Sequence, residues 1–177
     1  LEKPECVIII TGQQLGLIAS PIYTIYKIIT TIRLAEDLNH NNEKYKFVPV
    51  FWLETEDHDF KEINHIGIFN KNFHPKQIFY KGKDRAKASL RNYQLEPSIT
   101  SFFSDVKESL LETEFSHDLF KKMNDFYKPD RDWTSAIRSF LNDLFGFYGL
   151  LFFHPGDKEI KKLSVEFYSQ LLLNGEA

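Results

Sequence analysis

A run of β-branched residues, Val7-Ile-Ile-Ile10, is followed at once by Gly12-Gln-Gln-Leu-Gly16, and no other feature constrains the fold as much. The run reads as a strand buried on both faces, and the glycines read as the tight loop that ends it. Ser20-Pro21 reads as a helix start, with Ser20 at the N-cap and Pro21 at the first helical position. Ile22, Ile25, Ile29, Ile32 and Ala35 recur at helical period and mark one apolar face. The polar stretch 39–43 stops the helix. Phe47-Val-Pro-Val-Phe-Trp52 is then a second apolar strand, although Pro49 has no N–H to give to a ladder. Strand, loop, helix, strand is a βαβ unit. Its right-handed crossover puts segments 11–27 and 54–65 at one carboxyl edge of a parallel sheet, where open α/β sheets bind ligands.

The rest of the chain is read more coarsely. Segments 66–69 and 77–80 are short strands, and 81–96 is a charged loop. Segments 100–111 and 118–126 have helical apolar spacing. Trp133 to Phe145 is an amphipathic helix with Ile137, Phe140, Leu141 and Leu144 on one side, ended by Gly146 and Gly149. Leu150-Leu-Phe-Phe153 is a third buried strand. Asp157 caps a last helix carrying Ile160, Leu163, Phe167 and Leu171 on one face.

With 177 residues the chain suits one domain, or one domain with an insertion. Hydrophobic residues at 42% and aromatics at 15% support a dense core. A net charge of -3 argues against a basic nucleic-acid surface as the main activity. Cys6 is the only cysteine, so an internal disulfide and a cysteine-built zinc knuckle are both excluded; a reducing cytoplasm suits it. No apolar run approaches the roughly 20 residues that cross a bilayer. The first residue is Leu1 and the only methionine is Met123, so the chain is expected to be a piece of a longer protein.

Two segments can carry chemistry. Amides of the Gly12–Gly16 loop, facing a helix N-terminus, suit phosphate, carboxylate or sulfate. Gln13 and Gln14 add amide groups, and Lys27, on the same helix face as Tyr23, can lean toward an anion. The spacing is neither a Walker A loop nor a dinucleotide fingerprint, and a ligand-free capping turn fits the same residues. The second segment, Glu54 to Glu62, holds five carboxylates in nine residues against a single Lys61. Crowded carboxylates raise one another's pKa and His58 titrates near neutrality, so acid–base work is available. His58, Glu62 and His65 share a helical face but match no zinc signature. A solvated acidic helix is the alternative. His40, His74 and His117 read as surface residues, His154 as a turn residue and Cys6 as core.

Residues 11–27, Thr-Gly-Gln-Gln-Leu-Gly-Leu-Ile-Ala-Ser-Pro-Ile-Tyr-Thr-Ile-Tyr-Lys, and residues 48–65, Val-Pro-Val-Phe-Trp-Leu-Glu-Thr-Glu-Asp-His-Asp-Phe-Lys-Glu-Ile-Asn-His, closely resemble the bacillithiol-biosynthesis cysteine-adding enzymes, a cysteine ligase family. Segment 145–157 resembles the same family, which more usually carries Asp at the position of His154. The resemblance implies an α/β, Rossmann-like parallel sheet core related to nucleotidyltransferases and class I aminoacyl-tRNA synthetases. It implies core segments at 1–70 and 131–177 and a helix-rich insertion at 71–130, in a protein about three times longer that dimerises through a coiled coil. The implied reaction is amide formation between cysteine and glucosamine-malate in the cytoplasm, with ATP as activator and Mg2+ as its counter-ion, and with neither nucleic acid nor membrane as partner. Thr11, Gly12, Gln13, Gln14, Gly16 and Lys27 would line the nucleotide or carboxylate site. Glu56, Asp57, His58 and Asp59 would bind the amine and handle protons, with Asn64 and His65 in the same cleft; no resident protein-bound metal is expected. Two other readings stay open: a nucleotide-binding domain for another small substrate, and a non-catalytic assembly module.

Overall fold

The computed structural model describes residues 1–56, 59–83, 89–90 and 93–175. Three strands form a parallel sheet in the order β1 (Cys6–Gln14), β2 (Lys46–Glu54), β5 (Leu151–Phe153). Helix α1 (Tyr23–His40) makes the crossover from β1 to β2. Between β2 and β5 come α2 (Phe60–Ile63), a hairpin of β3 (His65–Phe69) with β4 (Pro75–Phe79), and helices α3 (Ser98–Ser109), α4 (Ser116–Phe126) and α5 (Trp133–Phe145). Helix α6 (Lys158–Asn174) follows β5.

The expected βαβ unit is present, but its first loop is not where the glycines put it. β1 runs on through Gly12, Gln13 and Gln14, in register with Trp52, Leu53 and Glu54. Gly12 serves close packing rather than a turn: a Cβ there would lie 2.9 Å from Trp52 Cβ. The turn comes at Gly16, where a Cβ would meet the Ser20 carbonyl at 2.1 Å, and a 3-10 turn, Leu17–Ala19, follows. Ser20 is extended and donates its own N–H to the Leu17 carbonyl, so it closes that turn instead of capping α1. The Ser20–Pro21 peptide is cis, and α1 starts at Tyr23. No side chain caps it.

The buried face of α1 is also rotated from the expected one. Thr24, Ile28, Thr31, Ile32 and Ala35 are buried, whereas Ile22 and Ile29 are exposed. The helix carries isoleucine on several sides, so period alone does not choose among overlapping faces. Pro49 sits inside β2 and is buried; it lies one residue before the stretch 50–52 that pairs with β5. β5 pairs only over residues 151–153, one residue short of the expected strand.

The core lies on one side of the sheet. Phe51 is fully buried there and meets Phe152 edge-on at 6.4 Å. α5 has the expected bounds and buries Ile137, Phe140 and Leu141. An aromatic cluster joins the sheet side to the hairpin side: Phe60 stacks on Tyr93 at 5.1 Å, and Tyr93 meets Trp133 edge-on at 5.4 Å. Segment 81–96 is therefore not a plain surface loop, since Tyr93 and Leu95 belong to the core. Trp133 Nε1 donates to the Leu15 carbonyl at 2.8 Å and so fixes the chain just beyond β1. On the other face of the sheet, Ile8, Ile10 and Leu151 stay 51%, 49% and 41% exposed. The expected apolar face of α6 is uncovered too, with Leu163 and Phe167 exposed.

Candidate active site

The site is built where β1 and β2 end together. Strand register sets Gln13 opposite Leu53 and Gln14 opposite Glu54, so the Gly-Gln-Gln segment and the start of the acidic segment share one carboxyl edge. Tyr23 and Lys27, one helical turn apart on α1, reach back to this edge. Lys27 Nζ lies 2.9 Å from Gln13 Oε1 and 3.3 Å from the Gly12 carbonyl oxygen. It also stands 5.3 Å from the centre of the Tyr23 ring. Gln13 Nε2 donates to the Tyr23 hydroxyl at 3.1 Å, which fixes the amide orientation that offers Oε1 to the lysine. Among the described residues no carboxylate pairs with Lys27. A full positive charge held only by neutral oxygens and a ring face attracts an anion.

Beside this cluster, Glu54 is held from two sides. Trp52 Nε1 donates to one carboxylate oxygen at 3.2 Å and the Glu56 amide to the other at 3.0 Å. The exposed Glu56 carboxylate pairs with Lys161 on the first turn of α6. Asp57 and His58 lie outside the described residues. Asp59 is the N-cap of α2, accepting from the Lys61 and Glu62 amides at 3.1 and 3.3 Å. Asn64 ends that helix, and its carbonyl accepts from the Tyr80 amide at 2.7 Å. His65 opens β3, with Nδ1 3.1 Å from the Lys61 carbonyl and its ring 5.1 Å from that of Phe79. Thr11 sits in the ladder opposite Phe51, and Gly16 serves the turn. The edge thus brings together Gly12, Gln13, Gln14 and Lys27 with Glu54 and Glu56. Asp59, Asn64 and His65 have local structural partners.

A cavity of about 340 Å3 opens between the ends of β2 and β5 and the start of α6. Trp52, Phe153 and Tyr168 supply its aromatic lining, and Glu56 with Lys161 its charged part. Trp52 and Phe153 are register partners, with ring centres 4.6 Å apart. Trp52 and Lys161 reach this edge from outside the two segments that the sequence marks for chemistry. The signal for Lys161 is topological: any residue following a strand parallel to β2 emerges at the same edge. Among the described residues, no three His, Cys, Asp or Glu side chains converge as a metal would require.

A parallel β-α-β unit with a lysine-bearing carboxyl edge, the edge where open α/β sheets bind ligands, defines a Rossmann-like α/β domain. The chain belongs to the bacillithiol biosynthesis BshC family, whose model described as "Bacillithiol biosynthesis BshC, N-terminal Rossmann-like domain" matches residues 1–177. The chain is similar to relatives that carry the name "Putative cysteine ligase BshC". That of Prosthecochloris aestuarii is 34% identical over all of this chain and 32% of its own length. That of Flavobacterium psychrophilum is 34% identical over 98% of this chain and 31% of its own. That of Bacillus licheniformis is 32% identical over 97% and 32%. The chain therefore spans about a third of the length of the curated relatives it matches. No helix among the described residues is long and apolar enough to cross a membrane.

Proposed function

We propose that the protein containing this domain is a cytoplasmic ligase that joins the carboxyl group of cysteine to the amine of glucosamine-malate, and that the carboxyl edge of this sheet is where the two meet. The names borne by the relatives support the ligase class. The observation that carries the reading is the β1–β2 register, because it sets Gln13 and Gln14, the first of which accepts from Lys27, at the same strand ends as Glu54.

Amide formation in water requires an activated carboxyl, and ATP would supply the activation when bound. The donor set suits it: Lys27 Nζ and the Gln13 amide could meet anionic oxygens, and Glu54 could offer the oxygen ligands that Mg2+ takes. Lys27 would hold negative charge as it develops on the departing oxygen. Glu56, Asp57, His58 and Asp59 would hold the attacking amine and take the proton it loses as the C–N bond forms. Residues 71–130 would be an insertion between the core segments 1–70 and 131–177, and the full-length protein would act as a homodimer.

The test is turnover of the full-length protein with cysteine, ATP and glucosamine-malate, the product being followed by thiol labelling. Lys27→Ala, His58→Ala and Asp59→Ala are each expected to lower kcat/KM at least about a hundredfold. Unchanged turnover in all three variants removes this edge from the mechanism.

A further inference from the structure

We propose that the cavity between β2, β5 and α6 is the acceptor subsite, taking an amino sugar whose aglycone bears carboxylates. The inference rests on the ligase reading and assigns one of its substrates to a place.

The cavity offers two unlike surfaces. Its aromatic wall is made of Trp52 and Phe153, register partners with ring centres 4.6 Å apart, and of Tyr168 from α6. Apolar and aromatic lining with a few placed polar groups is the usual build of a small-molecule site. A pyranose ring has an apolar face of C–H groups that packs on such a wall. The volume of about 340 Å3 suits one sugar ring with a short substituent.

The polar surface is a single ion pair, Glu56 with Lys161, whose side chains are 51% and 47% exposed. A pair that wet contributes little to stability, so a ligand carrying both an ammonium and a carboxylate can replace each half by a stronger partner. Glu56 would take the sugar amine and Lys161 the aglycone carboxylate. The amine then lies on the segment that begins at Glu54, the register partner of Gln14, beside the Lys27 end of β1.

Calorimetry and steady-state kinetics on the full-length protein test this with glucosamine-malate and with glucosamine, which lacks the carboxylates. Lys161→Ala is expected to weaken glucosamine-malate binding and raise its KM about tenfold or more, while glucosamine affinity and the KM values for ATP and cysteine stay within about twofold. Phe153→Leu is expected to weaken both sugars. If wild-type protein consumes glucosamine-malate and both variants bind it normally, the subsite is wrong and the ligase reading stands. A loss confined to ATP affinity also overturns the subsite and gives the cavity to the nucleotide. If wild-type protein neither binds nor consumes glucosamine-malate, both readings fall.

Discussion

Tyr127 shows how one residue ties the site to the helical core. Its side chain is buried, and its hydroxyl oxygen accepts the Ile18 N–H at 3.2 Å, inside the turn that follows β1. Burial pushes the phenol up from its ordinary value of 10.0, and the Ile18 hydrogen bond only partly opposes this. The folded state therefore keeps the proton where the unfolded chain gives it up. The resulting stability is whole below pH about 10 and is lost as pH rises beyond it. Tyr127→Phe removes that dependence and leaves the Ile18 amide without its acceptor, at a cost of about 1–3 kcal/mol near neutrality. Urea midpoints between pH about 8 and 11 should show the gap between wild type and variant narrowing as pH rises. A constant gap would mean that the phenol titrates normally.

At the scale of elements, the contact between β1 and β2 decides the geometry of the anion end. Gly12 lets the strands close because nothing stands between its Cα and Trp52. Gly12→Ala would put a methyl 2.9 Å from Trp52 Cβ and 3.1 Å from its carbonyl oxygen, so the strand ends must separate. The expected cost is about 1–3 kcal/mol in thermal or urea unfolding. A loss of Lys27-dependent turnover should accompany it, since Lys27 holds the Gly12 carbonyl. Gly67→Ala in β3 is the control, because a Cβ there meets nothing within 4 Å and its stability should not fall. If the two variants behave alike, crowding at Trp52 is not the reason for the glycine.

These elements also show what the sequence makes legible. α5 is readable to its bounds because its apolar residues follow one helical period and Gly146 ends it; the structure adds Asp132 as its N-cap. The crossover is readable because strand, helix and strand follow one another closely enough to make one β-α-β unit. The extension of β1 is not, because a glycine that serves close packing and a glycine that serves a turn are the same letter. The buried side of α1 is not, because Ile22, Ile25, Ile28, Ile29 and Ile32 support overlapping faces. Lys161 meets Glu56 across 105 residues, a distance that local periodicity does not bridge. Lys27 stands at this edge for a local reason, since its contacts to Gln13 and Gly12 follow from one helix leaning on the strand before it.

For the whole molecule, the asymmetry of the sheet is the governing fact. Parallel sheets are stable when both faces are covered, and here one face keeps Ile8, Ile10 and Leu151 about half exposed. Leu172 and Leu173 on α6 are 85% and 84% exposed, so this helix adds further apolar surface. Contiguous apolar area beyond a few hundred Å2 marks an interface. The curated relatives are about three times as long as this chain, which leaves ample sequence in a full-length protein to cover both surfaces. Residues 1–177 alone should then bind a hydrophobic dye and associate as concentration rises toward about 100 μM, whereas the full-length protein at equal molarity should bind less dye per chain. Leu163→Glu with Leu172→Glu should lower dye binding by residues 1–177 without moving the unfolding midpoint, because neither side chain packs in the core. A chain 1–177 that stays monomeric and dye-silent would show that the exposed face closes by rearrangement within this domain, and the uncovered sheet would cease to be an argument about the rest of the protein.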